Sequence, residues 1–178
     1  MLNVSGEGAP RARRVDSRGR SLVWRIWWPL PLRAIVGYGF MAHGLAKLFR
    51  GPDEFAIILQ ALGVPAPGVM AWATIVVEVF GGLAVLTGSF VRVASIPMTT
   101  VLLVAMLTVH LPYGFSSIKL LSVTAAGAQF GPPGYETDLL YIACLVSLAI
   151  GGSGPLSVDS LFARRSSHGE SRDWEEDA

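Results

Sequence analysis

The stretch between Val64 and Val91 constrains this chain more than any other, because it contains a single charged residue, Glu78. Within it, residues 68–88 have the length and composition of a membrane span, since about 20 apolar residues of helix cross a hydrocarbon core of about 30 Å. A carboxylate in hydrocarbon costs at least about 2.5–3.5 kcal/mol on insertion scales, so such residues tend to face a partner, a cavity or a site. Glu78 is therefore the first candidate for a polar centre.

The composition indicates a membrane protein. Hydrophobic residues make up 52% of the chain and charged residues only 15%, whereas roughly 25% of the residues of a soluble domain are charged. Four segments are apolar enough, over about 20 residues each, to cross a membrane. We predict an all-α membrane protein, a four-helix transmembrane bundle, with helices at residues 30–49, 68–88, 92–111 and 137–153.

The basic residues predict the orientation of this bundle. With both termini in the cytoplasm, 11 of the 14 Lys and Arg residues lie on the cytoplasmic side, and only Lys47, Arg50 and Lys119 lie outside. Cytoplasmic loops of membrane proteins carry the excess of basic residues. We therefore expect a multi-pass protein of a bacterial-type plasma membrane with cytoplasmic N- and C-termini.

The chain divides into one membrane domain and two polar tails. Residues 1–25 form a basic tail and residues 163–178 a second tail; both have too few apolar residues to fold alone and are expected to be disordered. The membrane domain spans residues 26–162. Between its helices we expect an amphipathic helical turn within residues 50–63 and a short interfacial helix over residues 118–126.

Polar residues within the spans are the candidates for a site. One stripe of the first helix carries Arg33 and Lys47, with His43 at its border, and either cation could form a structural ion pair with Glu78. His43, Lys47 and His110 fall in the outer halves of their helices, and Glu78 lies near mid-depth below them. Several titratable groups around one apolar pocket suit a small amphipathic headgroup. We predict a quinone and proton site, the candidate ligand-binding residues being His43, Lys47, Glu78 and His110.

Short motifs occur in a fixed order along the membrane domain. The first half contains Arg33, Gly37, Phe40, His43-Gly44, Lys47-Leu48 and Leu62-Gly63-Val64-Pro65. The second half contains Glu78, Gly81-Gly82, Gly88, Arg92 and the ending Gly154-Pro155-Leu156-Ser157-Val158-Asp159. In this order and spacing, residues 30–161 resemble the DoxX family of small four-helix membrane proteins.

The resemblance implies a redox association. The family takes its name from a subunit of a thiosulfate:quinone oxidoreductase, and relatives are described as membrane partners in bacterial redox and thiol-stress complexes. Arg33, Lys47 and Glu78 match recurrent polar positions of the family. No catalytic residue carries over, so the catalytic residues are unknown and enzymatic activity is left open.

The residue inventory excludes several chemistries. Cys144 is the only cysteine, so an internal dithiol relay is excluded, and three histidines are too few for a pair of bis-histidine haems. No nucleotide fingerprint is present, and we predict neither a metal site nor a nucleic-acid partner. Any redox centre must come from a quinone, the one cofactor we consider, or from a partner.

Three functions follow from these observations. The first is a quinone-interacting membrane subunit of an oxidoreductase, with membrane lipids and a soluble or membrane redox partner around it. The second is a non-enzymatic membrane scaffold that recruits a soluble partner. The third is a small transporter or pore, built as a homo-oligomer, with Glu78 in the permeation path.

Overall fold

The computed structural model describes residues 27–154 and 156–160, so the predicted tails, residues 1–25 and 163–178, lie outside the described residues. The described part of the chain is mostly helical and contains a single two-stranded sheet. The elements in chain order are α1 (Pro29–Arg50), α2 (Pro52–Ala61), α3 (Pro67–Thr87), α4 (Val91–Tyr113), β1 (Leu120–Thr124), β2 (Gly127–Phe130) and α5 (Glu136–Gly151).

Proline and glycine set the ends of the helices. Pro29, Pro52 and Pro67 each occupy the first turn of a helix, where the missing N–H costs nothing. Helix α3 ends at Gly88, which has φ 73°. There the N–H of Gly88 donates to the carbonyl of Val85 and that of Ser89 to Ala84, which is the Schellman arrangement of a helix end.

Helices α3 and α4, with 21 and 23 residues, are long and apolar enough to cross a membrane by length and composition. Helix α1 has 22 residues but contains three cations, and α5 has 16 residues. All four lie close to the segments predicted from the sequence. The described residues therefore form a mostly helical protein with two helices suited to a membrane.

Glycines allow α1 and α3 to approach closely. A Cβ atom at Gly37 would lie 2.8 Å from the carbonyl oxygen of Gly82, and one at Gly82 would lie 2.8 Å from that of Gly37. Backbones can meet at this distance only where side chains are absent. The close approach of α1 to α3 continues at Gly44, where a Cβ atom would lie 2.9 Å from the Cβ of Glu78. The small residues of α1 thus place Glu78 against α1.

The core lies between α1, α3, α4 and α5. Val36 and Phe40 of α1 pack with Val85 of α3, Met98 of α4 and Leu145 of α5, all 4% exposed or less. Because this core is small, large apolar side chains remain exposed on the outward faces of the long helices.

The prediction of an interfacial helix over residues 118–126 is wrong, because this segment forms an antiparallel hairpin. Strand β1 pairs with β2, and Thr124 lies opposite Gly127 across a two-residue turn. Val123 and Thr124 are β-branched and favour extended backbone, and Gly127, with φ 122°, adopts a conformation that other residues rarely reach. In contrast, the helical turn predicted within residues 50–63 is confirmed as α2.

Candidate functional site

An ion pair joins α1 to α3 at the centre of the candidate site. The ammonium group of Lys47 donates to Oε1 of Glu78, whose residue is only 5% exposed. Gly44 lies one turn before Lys47 and makes room for Glu78. Phe55 of α2 covers the ammonium group from the other side, with Nζ 4.8 Å from its ring centroid. Glu78 therefore pairs with Lys47 and not with Arg33.

The second carboxylate oxygen of Glu78 is an exception to the usual pairing of buried polar atoms. Oε2 is buried and has no hydrogen-bond partner among the described residues. A carboxylate oxygen away from water needs a donor or a proton of its own. Glu78 thus retains unused hydrogen-bonding capacity beside its ion pair.

A second acid–base pair joins α4 to α5. Nδ1 of His110 lies 2.5 Å from Oδ2 of Asp138, and Asp138 is 5% exposed. The sequence predicted His110 as a site residue but did not indicate Asp138. The available signal was weaker than the one that identified Glu78, because Asp138 lies at the edge of an apolar segment and not inside it. Its histidine partner is 28 residues away and is brought close only by the packing of α4 on α5.

Both pairs line one cavity of about 790 Å³ between the helices. The wall carries the two acid–base pairs and His43, and its other polar side chains include those of Thr74, Thr100, Thr108 and Thr137. The rest of the wall is mainly apolar and includes Phe40, Leu59, Val77, Leu102 and Tyr141. Ligand sites of proteins commonly have this form, an apolar cavity of about 300–1,000 Å³ with a few convergent polar groups.

The four predicted ligand residues therefore meet at one cavity, but in different environments. Glu78 is buried, whereas Lys47 and His110 are half-buried and His43 is exposed. His43 has no hydrogen bond to any described residue, so its ring is free to meet a ligand.

Glu78 and His110 both lie in π-helical turns. The turn in α3 covers Val77–Gly81, and the one in α4 covers Met106–His110. Such turns interrupt the regular hydrogen bonding of a helix and occur frequently at functional sites. Their position at the two acid–base pairs distinguishes this cavity from ordinary gaps between helices.

Arg33 belongs to a separate structural centre. Its guanidinium donates to the carbonyls of Val85 and Leu86 in α3 and of Ser153 and Leu156 after α5, at 2.9–3.3 Å. The residue is 3% exposed. Arg33 therefore links the first helix to the end of α3 and to the last described segment.

Further residues of the resemblance motifs meet at the same point. A Cβ atom at Gly88 would lie 2.6 Å from both the Arg33 guanidinium carbon and the Cβ of Ser157. Asp159 accepts a hydrogen bond from the N–H of Phe90 at 3.0 Å. Motifs that are far apart in sequence, including the final Ser-x-Asp, thus form one junction between the α3–α4 turn and the segment after α5.

The fold and the site together describe a mostly helical protein with two candidate membrane-spanning helices and a largely apolar cavity that carries a few polar groups. The model of the DoxX family matches residues 28–111, which cover α1 to α4 up to its last turn. Over these residues the chain is similar to the DoxX family, in agreement with the resemblance of its sequence motifs.

Curated relatives are similar to a larger part of the chain. An uncharacterised membrane protein of Mycobacterium tuberculosis is 29% identical over 170 residues, covering 92% of this chain and 96% of the relative. A protein of Bacillus subtilis named "Putative oxidoreductase CatD" is 28% identical over 140 residues, covering 79% of this chain and 90% of the relative. An uncharacterised protein of Haemophilus influenzae is 28% identical over 136 residues, or 75% and 90% of the two chains. No solved structure matches the chain significantly.

Proposed function

We propose that α1, α3, α4 and α5 all cross a bacterial-type plasma membrane, with both termini in the cytoplasm. Each of these helices presents large apolar side chains outward, as lipid contact requires. Examples are Ile35 of α1, Phe80 of α3, Val93 of α4 and Ile150 of α5, which are 58–77% exposed. The distribution of basic residues supports the orientation.

Reporter fusions test this topology. A reporter fused after Ala178 and another inserted between Ser89 and Phe90 are expected to report the cytoplasm, and one inserted near Gly131 the outside. The reason is the location of 11 of the 14 basic residues on the side of the termini. A cytoplasmic signal near Gly131 contradicts the four-span arrangement.

Within this arrangement, the chain acts as a quinone-interacting membrane subunit of a redox system. The observation that carries the proposal is the apolar cavity of about 790 Å³ with two acid–base pairs on its wall. Its volume suits a quinone ring with part of its tail, and apolar residues such as Phe40 and Val77 suit the tail. The unpartnered Oε2 of Glu78 supports a ligand that brings a hydrogen-bond donor or a proton.

The residues on the wall suit the proton chemistry of a quinone. A quinone takes up protons together with electrons, and histidine and carboxylate groups are the usual side chains for such transfers. His43, Lys47, Glu78 and His110 hold the headgroup, and the electrons come from a soluble or membrane redox partner. The name of the Bacillus subtilis relative, an oxidoreductase, supports a redox role for this chain.

Quinone retention by the purified protein tests the function. We expect quinone to be recovered by lipid extraction after purification in mild detergent, and the His43→Ala variant to retain about five- to tenfold less. The loss corresponds to one hydrogen bond of about 1 kcal/mol. Thermal stability should be unchanged, because His43 is exposed and bonds no described residue.

The Tyr38→Ala variant is the matched control. Tyr38 lies on the same helix, is 69% exposed and is not part of the cavity wall, so retention should equal that of the unmodified protein. Absence of quinone from the unmodified protein contradicts the function. Unchanged retention in His43→Ala, or a loss that follows unfolding, removes His43 from the binding site.

A further inference from the structure

The carboxylate of Asp138 fixes the hydrogen-bonding character of His110. An ionised carboxylate can only accept hydrogen bonds, so the proton of a neutral imidazole beside it lies on Nδ1, the atom 2.5 Å from Asp138. The other ring nitrogen, Nε2, is then an acceptor. It has no hydrogen-bond partner among the described residues, and His110 lies on the cavity wall.

Glu78 offers an acceptor to the same cavity. Oε1 accepts from Lys47, and Oε2 has no donor in the described part of the chain, so the carboxylate keeps unused acceptor lone pairs. The last torsion of a glutamate side chain is broad, so a small rotation brings an unused oxygen lone pair to the cavity. The two acid–base pairs therefore both present acceptors that need a donor.

From this polarity we propose that the cavity binds the reduced, dihydroxy form of its ligand, a quinol, more tightly than the quinone. The proposal rests on the function given above and adds the redox state that the site selects. The two hydroxyl groups of a quinol can donate to Nε2 of His110 and to the carboxylate of Glu78. The carbonyls of a quinone can only accept, so they leave both groups unpaired, which is costly in a site away from water.

The remaining polar groups of the cavity do not reverse this preference. Lys47 donates equally to a quinol oxygen or a quinone carbonyl, and a neutral His43 and the threonine hydroxyls on the wall can each donate or accept. The discrimination therefore depends on Glu78 and on His110, with Asp138 as the residue that positions the His110 proton.

Binding of the two redox forms to the full chain tests the proposal. The probes are a short-tailed benzoquinone and its two-electron-reduced quinol, titrated anaerobically against the detergent-purified protein. We expect the quinol to bind at least tenfold more tightly. A tenfold preference raises the reduction potential of the bound couple by about 30 mV relative to the free couple, which gives a second readout.

The Asp138→Asn variant tests the positioning role. Its amide N–H can donate to Nδ1, which moves the imidazole proton to Nε2 and turns that atom into a donor for a quinone carbonyl. The quinol preference should fall to about one or reverse. Glu136→Gln is the matched control, because Glu136 lies in the same helical turn, accepts from the N–H of Ser117 and does not line the cavity; it should keep the preference.

The possible results distinguish a failure of the quinol preference from a failure of the quinone-binding function on which it rests. Equal affinities, or tighter binding of the quinone, overturn the inference and leave the quinone-binding function intact. Failure of both probes to bind overturns the function as well. If a folded Asp138→Asn variant keeps the quinol preference, Asp138 and His110 do not cause it. If that variant does not fold, the ratio of quinol to quinone affinity in the unmodified protein decides whether the inference holds.

Discussion

The Glu78→Ala variant is expected to lose about 3 kcal/mol of unfolding free energy, because it leaves the ammonium group of Lys47 without its partner between the helices. Removing one partner of a buried pair typically costs about 3–5 kcal/mol. The lower figure applies here because the Lys47 side chain keeps 26% of its exposure and can reach water in part. Reversible unfolding of the protein in mixed micelles, followed by circular dichroism, measures the loss.

Two double variants separate the possible partners of Glu78. Adding Lys47→Met should recover much of the lost stability, since it removes the unpaired cation. Adding Arg33→Met should lower the stability further, because Arg33 contacts backbone carbonyls and not Glu78. If Lys47→Met does not improve on Glu78→Ala, the ion pair has no stabilising role and Glu78 is better explained as a ligand-facing carboxylate.

The Arg33→Met variant has the other large expected effect, a loss of about 3 kcal/mol or more. Methionine keeps most of the side-chain volume but leaves four carbonyls without their charged donor, and hydrogen bonds to charged groups contribute about 1.5–3 kcal/mol each. The estimate is kept below the sum because removal of the buried charge recovers its desolvation cost. The same unfolding measurement applies.

Arg92→Met is the control for Arg33→Met. Arg92 is exposed and makes no hydrogen bond to the described residues, so its replacement should change stability by no more than about 0.5 kcal/mol. Arg33→Lys should fall between Arg33→Met and the unmodified protein, since an ammonium group keeps the charge but cannot reach four carbonyls as the guanidinium does. Equal stabilities of Arg33→Met and Arg92→Met would contradict a structural role for the junction at Gly88.

A common origin explains why both effects are large. Glu78 and Arg33 are buried charged residues on two helices that glycines hold close together, at Gly44 and at Gly37. Loss of either side chain leaves polar groups that water cannot easily reach. The protein thus uses one charged centre to join α1 to α3 at the cavity and another to join them near the chain end.

The sequence by itself was sufficient for the helical segments, because their extent depends on local properties. The apolar length around Glu78, the prolines at helix starts and Gly88 at the end of α3 act over a few residues and are visible in the sequence. The same holds for the DoxX motifs and for the expectation that Glu78 faces a partner. Residues 118–126 are the exception, because they were predicted to form a helix and the turn before Gly127 instead favours a hairpin.

Only the tertiary structure decided which polar groups meet. Arg33 and Lys47 lie on one stripe of α1, and depth along the helix could not choose between them; the close approach at Gly44 places Lys47 against Glu78, while Arg33 reaches the end of α3. Asp138 became a site residue because α4 packs on α5 and brings His110 to it. These contacts depend on the rotation and spacing of whole helices, which are set by packing between distant segments and not by the neighbours of any one residue.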